Sequence, residues 1–151
     1  MPLYSTSFTC IKETKMRVIL FKLFHNIFPT NVLLNKYKIK DSNKCSCGNI
    51  DYIDHYFVNC VLLQEYWRNV NNHIFALTNY NLPDSTATRL FGLDPSDRNN
   101  TFSEETISKV NYILILAKSA ISTAKFYNSS NYLMYFENHL DLRKKYLEHP
   151  H

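Results

Sequence analysis

The sequence contains very little glycine and proline, only two and five residues among 151. Such a chain, with an apolar fraction of 45%, is not a disordered or low-complexity protein, and a helix-rich globular domain is expected. It also lacks any apolar run near the roughly 18 residues of a membrane-spanning helix, so we expect no membrane partner. The N-terminus lacks a charged start followed by an apolar core. We therefore expect an intracellular protein, cytoplasmic or nuclear, that is not secreted.

Cysteine is scarce as well, and its placement is uneven. Three of the four cysteines lie in the segment KCSCGNIDYIDHYFVNC, residues 44–60. In a protein that is not exported, clustered cysteines indicate a metal site rather than disulfides. The spacing Cys45-x-Cys47-x7-His55-x4-Cys60 offers three thiolates and one imidazole. That is a complete tetrahedral set for a structural Zn²⁺ ion, with no open position for catalysis. The alternative is a group of buried free cysteines beside a packed histidine.

The spacing also constrains the local backbone. In an extended segment Cys45 and Cys47 would point to the same side and face one ion. Gly48, directly after them, would relieve crowding at the turn. His55 and Cys60 are five residues apart, which is about 140° around a continuous helix. We therefore expect a short helix that stops before Cys60, with a longer helix just beyond it.

Two acidic residues lie close to the histidine of this pattern. Asp51 and Asp54 are near enough in sequence for either carboxylate to accept a hydrogen bond from the ring of His55. Metal-bound histidines usually donate their second ring N–H in this way. Both aspartates are therefore predicted to support the metal site from outside the ligand set.

Hydrophobic periodicity predicts an all-α fold, a bundle of about five helices with an inserted Cys-Cys-His-Cys zinc knuckle. The predicted helices cover residues 11–28, 31–39, 61–77, 104–127 and 132–149. Thr30 is expected to cap the second helix, and Thr101 with Glu104 to form a capping box for the fourth. We expect one domain, 1–151, composed of a zinc-binding segment (1–80), a connecting loop (81–103) and a helical C-terminal part (104–149).

The net charge of +4 is concentrated near the N-terminus, where residues 1–50 carry eight basic and two acidic residues. Such an asymmetry is typical of nucleic-acid binders, although it also fits a merely solvated surface. The candidate lysines lie on one strip of the first helix and in the run before the knuckle: Lys15, Lys22, Lys36, Lys38, Lys40 and Lys44. Such side chains would contact phosphates without reading sequence. Tyr37, Tyr52 and Tyr56 lie close to them in the sequence. They would either stack on unpaired bases or pack in the core or at its rim.

Four features together resemble the zinc-binding segment of LINE-type (non-LTR) retrotransposon reverse transcriptases: the basic helix, the turn FPTN at residues 28–31, the Cys/His pattern and Trp67. That segment lies C-terminal to the polymerase domain. Residues 90–92 (LFG) and 111–121 are similar to the downstream helical part of such proteins. The first cysteine pair, Cys-x-Cys, is one residue shorter than the Cys-x2-Cys of the family.

The resemblance implies a domain that helps to hold template RNA or target DNA near a polymerase. The chain has no Tyr-x-Asp-Asp and no pair of adjacent carboxylates for two magnesium ions, which nucleotidyl transfer requires. We therefore expect a non-catalytic domain, without a small-molecule substrate, that binds RNA or single-stranded DNA weakly and non-specifically; a reverse transcriptase core would be a second partner. The main alternative is a protein-interaction module that docks on a polymerase and binds no nucleic acid. An enzyme in its own right is the least supported reading, because the metal site is closed.

Overall fold

Regular structure is helical throughout the part of the chain described by the computed structural model, which is residues 14–94, 102–144 and 147. The α-helices in these residues are α1 (Thr14–Phe24), α2 (Asn31–Lys36), α3 (Gln64–Thr78), α4 (Thr86–Phe91), α5 (Glu104–Phe126) and α6 (Tyr132–Leu142). A π-helical turn (His55–Asn59) and a 3₁₀ turn (Val61–Leu63) precede α3. The predicted all-α fold class is therefore confirmed. No helix in the described ranges is long and apolar enough to cross a membrane.

Helix α5 forms the centre of the bundle, as its nearly continuous apolar sequence predicts. It is 23 residues long, and residues 110–121 are buried without interruption. Helices α1, α3 and α6 all contact it. One hydrogen bond that fixes this packing joins the buried hydroxyl of Tyr66, on α3, to the carbonyl oxygen of Ala117 at 2.7 Å. Since residues 110–121 of α5 are covered on every side, both halves of the sequence depend on this helix for their core.

Helix α1 ends earlier than the sequence predicts, and the reason is local. Asn26 adopts a left-handed conformation with φ 55°, and the N–H of Ile27 donates to the carbonyl of Lys22 at 2.9 Å. This 6→1 bond after a left-handed residue is a Schellman motif, which satisfies a terminal carbonyl and stops the helix. The predicted end at Phe28 is therefore wrong, and Asn26 rather than Pro29 terminates the helix.

Helix α1 is buried on one face only. One face packs into the core through Met16, Ile19, Leu20 and Leu23. The opposite face leaves Val18 and Phe21 exposed by 43% and 47%. The helix thus has an apolar face in solvent in addition to its basic residues.

The segment predicted as a connecting loop, 81–103, contains helix α4. Ser85 caps it, because its hydroxyl oxygen accepts a hydrogen bond from the N–H of Thr88 at 3.2 Å. The next helix is also capped by a serine, since Ser103 accepts from the N–H of Thr106 at 3.2 Å. The helix is therefore capped by Ser103 and not by the expected capping box of Thr101 and Glu104. Thr101 itself lies outside the described residues.

Lys118 is a basic residue in the middle of the apolar helix α5. Its side chain is buried, and its ammonium group donates to the carbonyl of Leu90 at the end of α4. Burial lowers the pKa of Lys118 from 10.5 to about 7, because the charged form loses its hydration. The helix C-terminus attracts a cation, but within the described residues no carboxylate is paired with this one.

Replacement of Lys118 by Met should stabilise the protein in a pH-dependent manner. Because the pKa is lower in the folded chain, the unfolded chain binds more protons between about pH 7 and 10.5, and folding is penalised most at and below pH 7. We expect Lys118→Met to raise the free energy of unfolding by about 1–4 kcal/mol at pH 7, and the gain to shrink towards pH 10. Urea denaturation of both proteins at several pH values, with saturating zinc, measures this. A gain independent of pH would contradict the assigned cause.

Candidate metal centre

The two N-terminal cysteines of the pattern lie on a tight hairpin rather than on an extended segment. Lys44 and Ile50 form an antiparallel bridge. Inside it, the N–H of Cys45 donates to the carbonyl of Asn49 at 2.8 Å, and the N–H of Gly48 donates back to Cys45 at 2.9 Å. The expectation of an extended backbone is therefore wrong, and the reversal of the chain places both thiols on the same side.

Gly48 is required by the backbone of this hairpin and not by lack of space. Its φ is +95°, a region that residues with a side chain rarely adopt. A Cβ at this position would have no heavy atom within 4 Å. The predicted relief of crowding is therefore incorrect.

The C-terminal pair of the pattern is joined by the π turn. The N–H of Cys60 donates to the carbonyl of His55 at 3.2 Å, which is the i→i+5 bond that defines this wider turn. Two residues five apart, which an α-helix would separate, are therefore brought to the same side of the chain. The helical segment does stop before Cys60, as the sequence predicts, and Cys60 itself is extended with ψ 134°.

The π turn leaves two carbonyl groups that the interrupted helix cannot satisfy, and two distant side chains bond to them. The indole N–H of Trp67 donates to the carbonyl of Phe57 at 2.7 Å. The ammonium of Lys125, on α5, donates to the carbonyl of Tyr56 at 2.9 Å and lies 3.8 Å from the centre of that residue's ring. These bonds connect the turn to α3 and to the central helix. No sequence pattern indicates the role of Lys125, because its partner is a backbone atom 69 residues away.

These elements bring Cys45, Cys47, His55 and Cys60 together, with one ligand atom from each and all four atoms within 4.8 Å of one another. The two measured edges of this group are 3.9 Å between the sulfurs of Cys45 and Cys60 and 3.2 Å between the sulfur of Cys47 and Nε2 of His55. In a tetrahedral zinc site, bond lengths of about 2.3 and 2.0 Å give edges of roughly 3.8 and 3.5 Å. The four residues therefore fit a zinc ion in both chemistry and size.

Asp51 orients the histidine and also anchors helix α2. Its Oδ1 lies 3.0 Å from Nδ1 of His55, so that the other ring nitrogen, Nε2, is directed at the thiols. Its Oδ2 accepts the backbone N–H of Asn31 at 3.2 Å. The side chain of Thr30 makes no capping bond, so the carboxylate of Asp51 takes the place predicted for Thr30. Asp54 does not reach the histidine; it is exposed and accepts a bond from Asn59 at 3.4 Å.

The environments of the thiols differ. The pKa of Cys47 is lowered to about 6, first by a hydrogen bond from the backbone N–H of Asn49 and then by His55. Burial raises the pKa of Cys60 to about 12, and the neighbouring Cys45 adds to the rise. A zinc ion would bind all three cysteines as thiolates, so that proton loss from Cys60 is coupled to metal binding.

The predicted nucleic-acid residues belong to two parts of the fold, the run before the knuckle and helix α1. The run before the knuckle is exposed: Lys36, Lys38, Lys40 and Lys44. Lys15 on α1 is exposed and Lys22 is partly buried. Lys40 also has a local role, because its ammonium donates to the side-chain carbonyl of Asn31 at 3.0 Å, and the amide of that residue donates to the carbonyl of Lys44 at 2.9 Å.

Residues 4–67 match a family model described as zinc-binding in reverse transcriptase. The match includes all four residues of the cluster and ends at Trp67. No curated protein and no solved structure matches the chain. The cluster and the family match independently support a structural zinc ion.

Removal of the Asp51 charge should weaken the zinc site. In Asp51→Asn an amide offers one acceptor where the carboxylate offers two, so the bond to His55 and the bond to Asn31 cannot both be kept. We expect zinc affinity to fall roughly 10–100-fold in a competition titration with a chromophoric chelator. Asp54→Asn is the matched control and should bind zinc like the parent chain. Equal losses in both variants would show that Asp51 does not orient the ligand.

Lys125 should be needed for the stability of the π turn. Lys125→Met keeps the length of the side chain but leaves the carbonyl of Tyr56 without its donor, which should cost about 1–3 kcal/mol in urea denaturation. Lys109→Met on the same helix removes an ammonium whose partner is the half-exposed Glu105, 3.4 Å away. That control should cost less than about 1 kcal/mol. Similar losses in the two variants would contradict the role of Lys125.

Proposed function

We propose that this chain is a non-catalytic zinc-binding module of a LINE-type reverse transcriptase and helps to hold RNA or single-stranded DNA near the polymerase. The observation that carries the proposal is the four-residue cluster inside the segment that matches the reverse-transcriptase zinc-binding family. The proposed role of Cys45, Cys47, His55 and Cys60 is to hold the zinc. A bound zinc ion would supply a rigid cross-link and no chemistry on a substrate, since four protein ligands leave no position for one.

The surface next to the cluster supports the nucleic-acid part of the proposal. The lysine run Lys36–Lys44 is exposed within nine residues, and the hairpin holds one end of it. Tyr37 and Tyr52 are exposed by 65% and 56%, which suits stacking on bases. Tyr56 does not share this role, because its ring packs against Phe28 and lies under Lys125. The proposed contact is therefore made by lysines and two tyrosines, and is weak and independent of sequence.

A protein-interaction module is the second candidate, and the exposed apolar face of α1 favours it. Val18 and Phe21 on α1, and Ile27 just after it, are 43–47% exposed, so that these residues could dock on a polymerase domain. In that case the zinc ion would only maintain the fold, and the lysines would be a solvated surface. The two candidates differ in whether the isolated chain binds nucleic acid.

Salt dependence of binding distinguishes them. The variant Lys36→Gln/Lys38→Asn removes two charges without disturbing Lys40, and asparagine suits the left-handed φ of 60° at position 38. If both lysines contact phosphates of single-stranded RNA, the slope of log affinity against log salt should become shallower by about 1.4. Fluorescence anisotropy with a labelled oligonucleotide at several salt concentrations measures the slope.

The matched control is Lys144→Gln/Lys145→Gln, which removes the same charge at the other end of the sequence. It should leave the slope unchanged. If the two double variants lose affinity equally, only net charge matters. If the parent chain does not bind at all, the interaction-module candidate is favoured.

A further inference from the structure

A polar cavity of about 430 Å³ is lined by the end of the π turn, the first half of α3, and helix α4 with the residue Asp84 before it. Two arginines line it, Arg68 from α3 and Arg89 from α4, and amide side chains of Asn59, Gln64 and Asn71 complete much of the wall. None of these residues belongs to the zinc cluster or to the lysine run. The site is therefore separate from the proposed function.

Arg89 is held in place on two sides. Its guanidinium lies over the ring of Trp67, 5.4 Å from the ring centre. Its Nη1 donates to Oδ1 of Asp84 at 3.0 Å, and among the described residues this is its one ion-pair partner. The arginine side chain is 13% exposed whereas that of Asp84 is 93% exposed. The charge that faces the cavity is therefore fixed, and the acid that pairs with it is largely in water.

The other edge of the same guanidinium has no partner. The N–H at Nε of Arg89 is buried, and no atom of the described residues accepts a hydrogen bond from it. Because Asp84 occupies Nη1, the edge formed by the N–H groups of Nε and Nη2 is available. That edge is the planar pair of donors that binds two oxygens of one carboxylate or phosphate. An unbonded donor in this position is costly unless something enters the cavity to accept it.

Oδ1 of Asn71 is a second buried atom without a partner on the same cavity. Water could bridge it to Nε of Arg89, and the cavity also has room for a larger polar ligand. The exposed guanidinium of Arg68 adds a second positive charge to the wall. Asn71 can accept from a P–OH group, or turn its amide and donate.

We propose that this cavity is a phosphate-binding site, in which Arg89 binds two phosphate oxygens through Nε and Nη2 and Arg68 supplies the second charge. The ligand is a phosphate with at least three free oxygens, two for Arg89 and one facing Arg68. This describes both inorganic phosphate and the terminal phosphate of an oligonucleotide, but not an internal phosphodiester.

The test is an NMR titration of the zinc-loaded chain that follows the Nε–H signal of Arg89. Inorganic phosphate is added against sodium chloride at matched ionic strength, and the signal should shift in a saturable manner. Arg89→Lys keeps the charge but loses the planar pair of donors, so phosphate affinity should fall roughly tenfold or more. A 5′-phosphorylated dinucleotide, compared with the same dinucleotide without the phosphate, shows whether the terminal phosphate of a nucleic acid occupies the site more tightly than the free ion.

Asp84→Asn keeps the test decisive if Arg89→Lys does not fold. Asp84 is almost fully exposed, and without its charge phosphate should bind roughly two- to fivefold more tightly. Lys36→Gln/Lys38→Asn should leave phosphate affinity unchanged. The proposal is overturned if phosphate does not shift the Arg89 signal, in which case the cavity holds water only. It is also overturned if Asp84→Asn leaves phosphate affinity unchanged and Lys36→Gln/Lys38→Asn lowers it.

Discussion

The five-residue spacing between His55 and Cys60 is the constraint on which much of the molecule depends. An α-helix cannot direct both side chains at one ion, so the backbone widens into a π turn and then becomes extended. Each departure from α-helical bonding exposes carbonyl groups, and in a buried segment these must find donors. Trp67 and Lys125 are those donors. The need to place two ligands correctly thus determines contacts with the third and fifth helices of the fold.

Charge makes a second connection in the same region. Three thiolates around a divalent ion carry a net negative charge, and Asp51 adds another beside them. Lys125 is mostly buried, and burial lowers its pKa, but the carboxylate of Asp51 and the nearby cysteines act in the opposite direction. The same carboxylate bonds the start of α2. The metal centre, the second helix and the central helix therefore share one electrostatic network, which explains how a small hairpin holds its position on a large helical core.

Most features that depend on neighbouring residues are predicted from the sequence, whereas those that depend on distant residues are missed. The helical class and the burial of α5 follow from periodicity, and the cysteine and histidine spacing indicates zinc. The left-handed Asn26 that ends α1 is missed, although asparagine is one of the residues that adopt this conformation just after a helix. Thr30 is a suitable cap by residue type, but a buried carboxylate 20 residues beyond Asn31 is the one that bonds the helix. Residue propensities could not predict this bond, because they do not include a partner that only the tertiary fold brings close.

The family match ends at Trp67. The structure of the matched segment, however, depends on residues beyond it. The carbonyl of Tyr56 bonds to an amine on α5, and the hydroxyl of Tyr66 bonds to a carbonyl on the same helix. A recombination event that copied residues 4–67 into another protein would carry every metal ligand and leave both of these groups without a partner. The zinc segment is therefore recognisable by its sequence, but two of its buried polar groups depend on a helix outside it. A host that acquired it would also need a buried helix offering one ammonium group and one carbonyl able to accept a second hydrogen bond, about two turns apart.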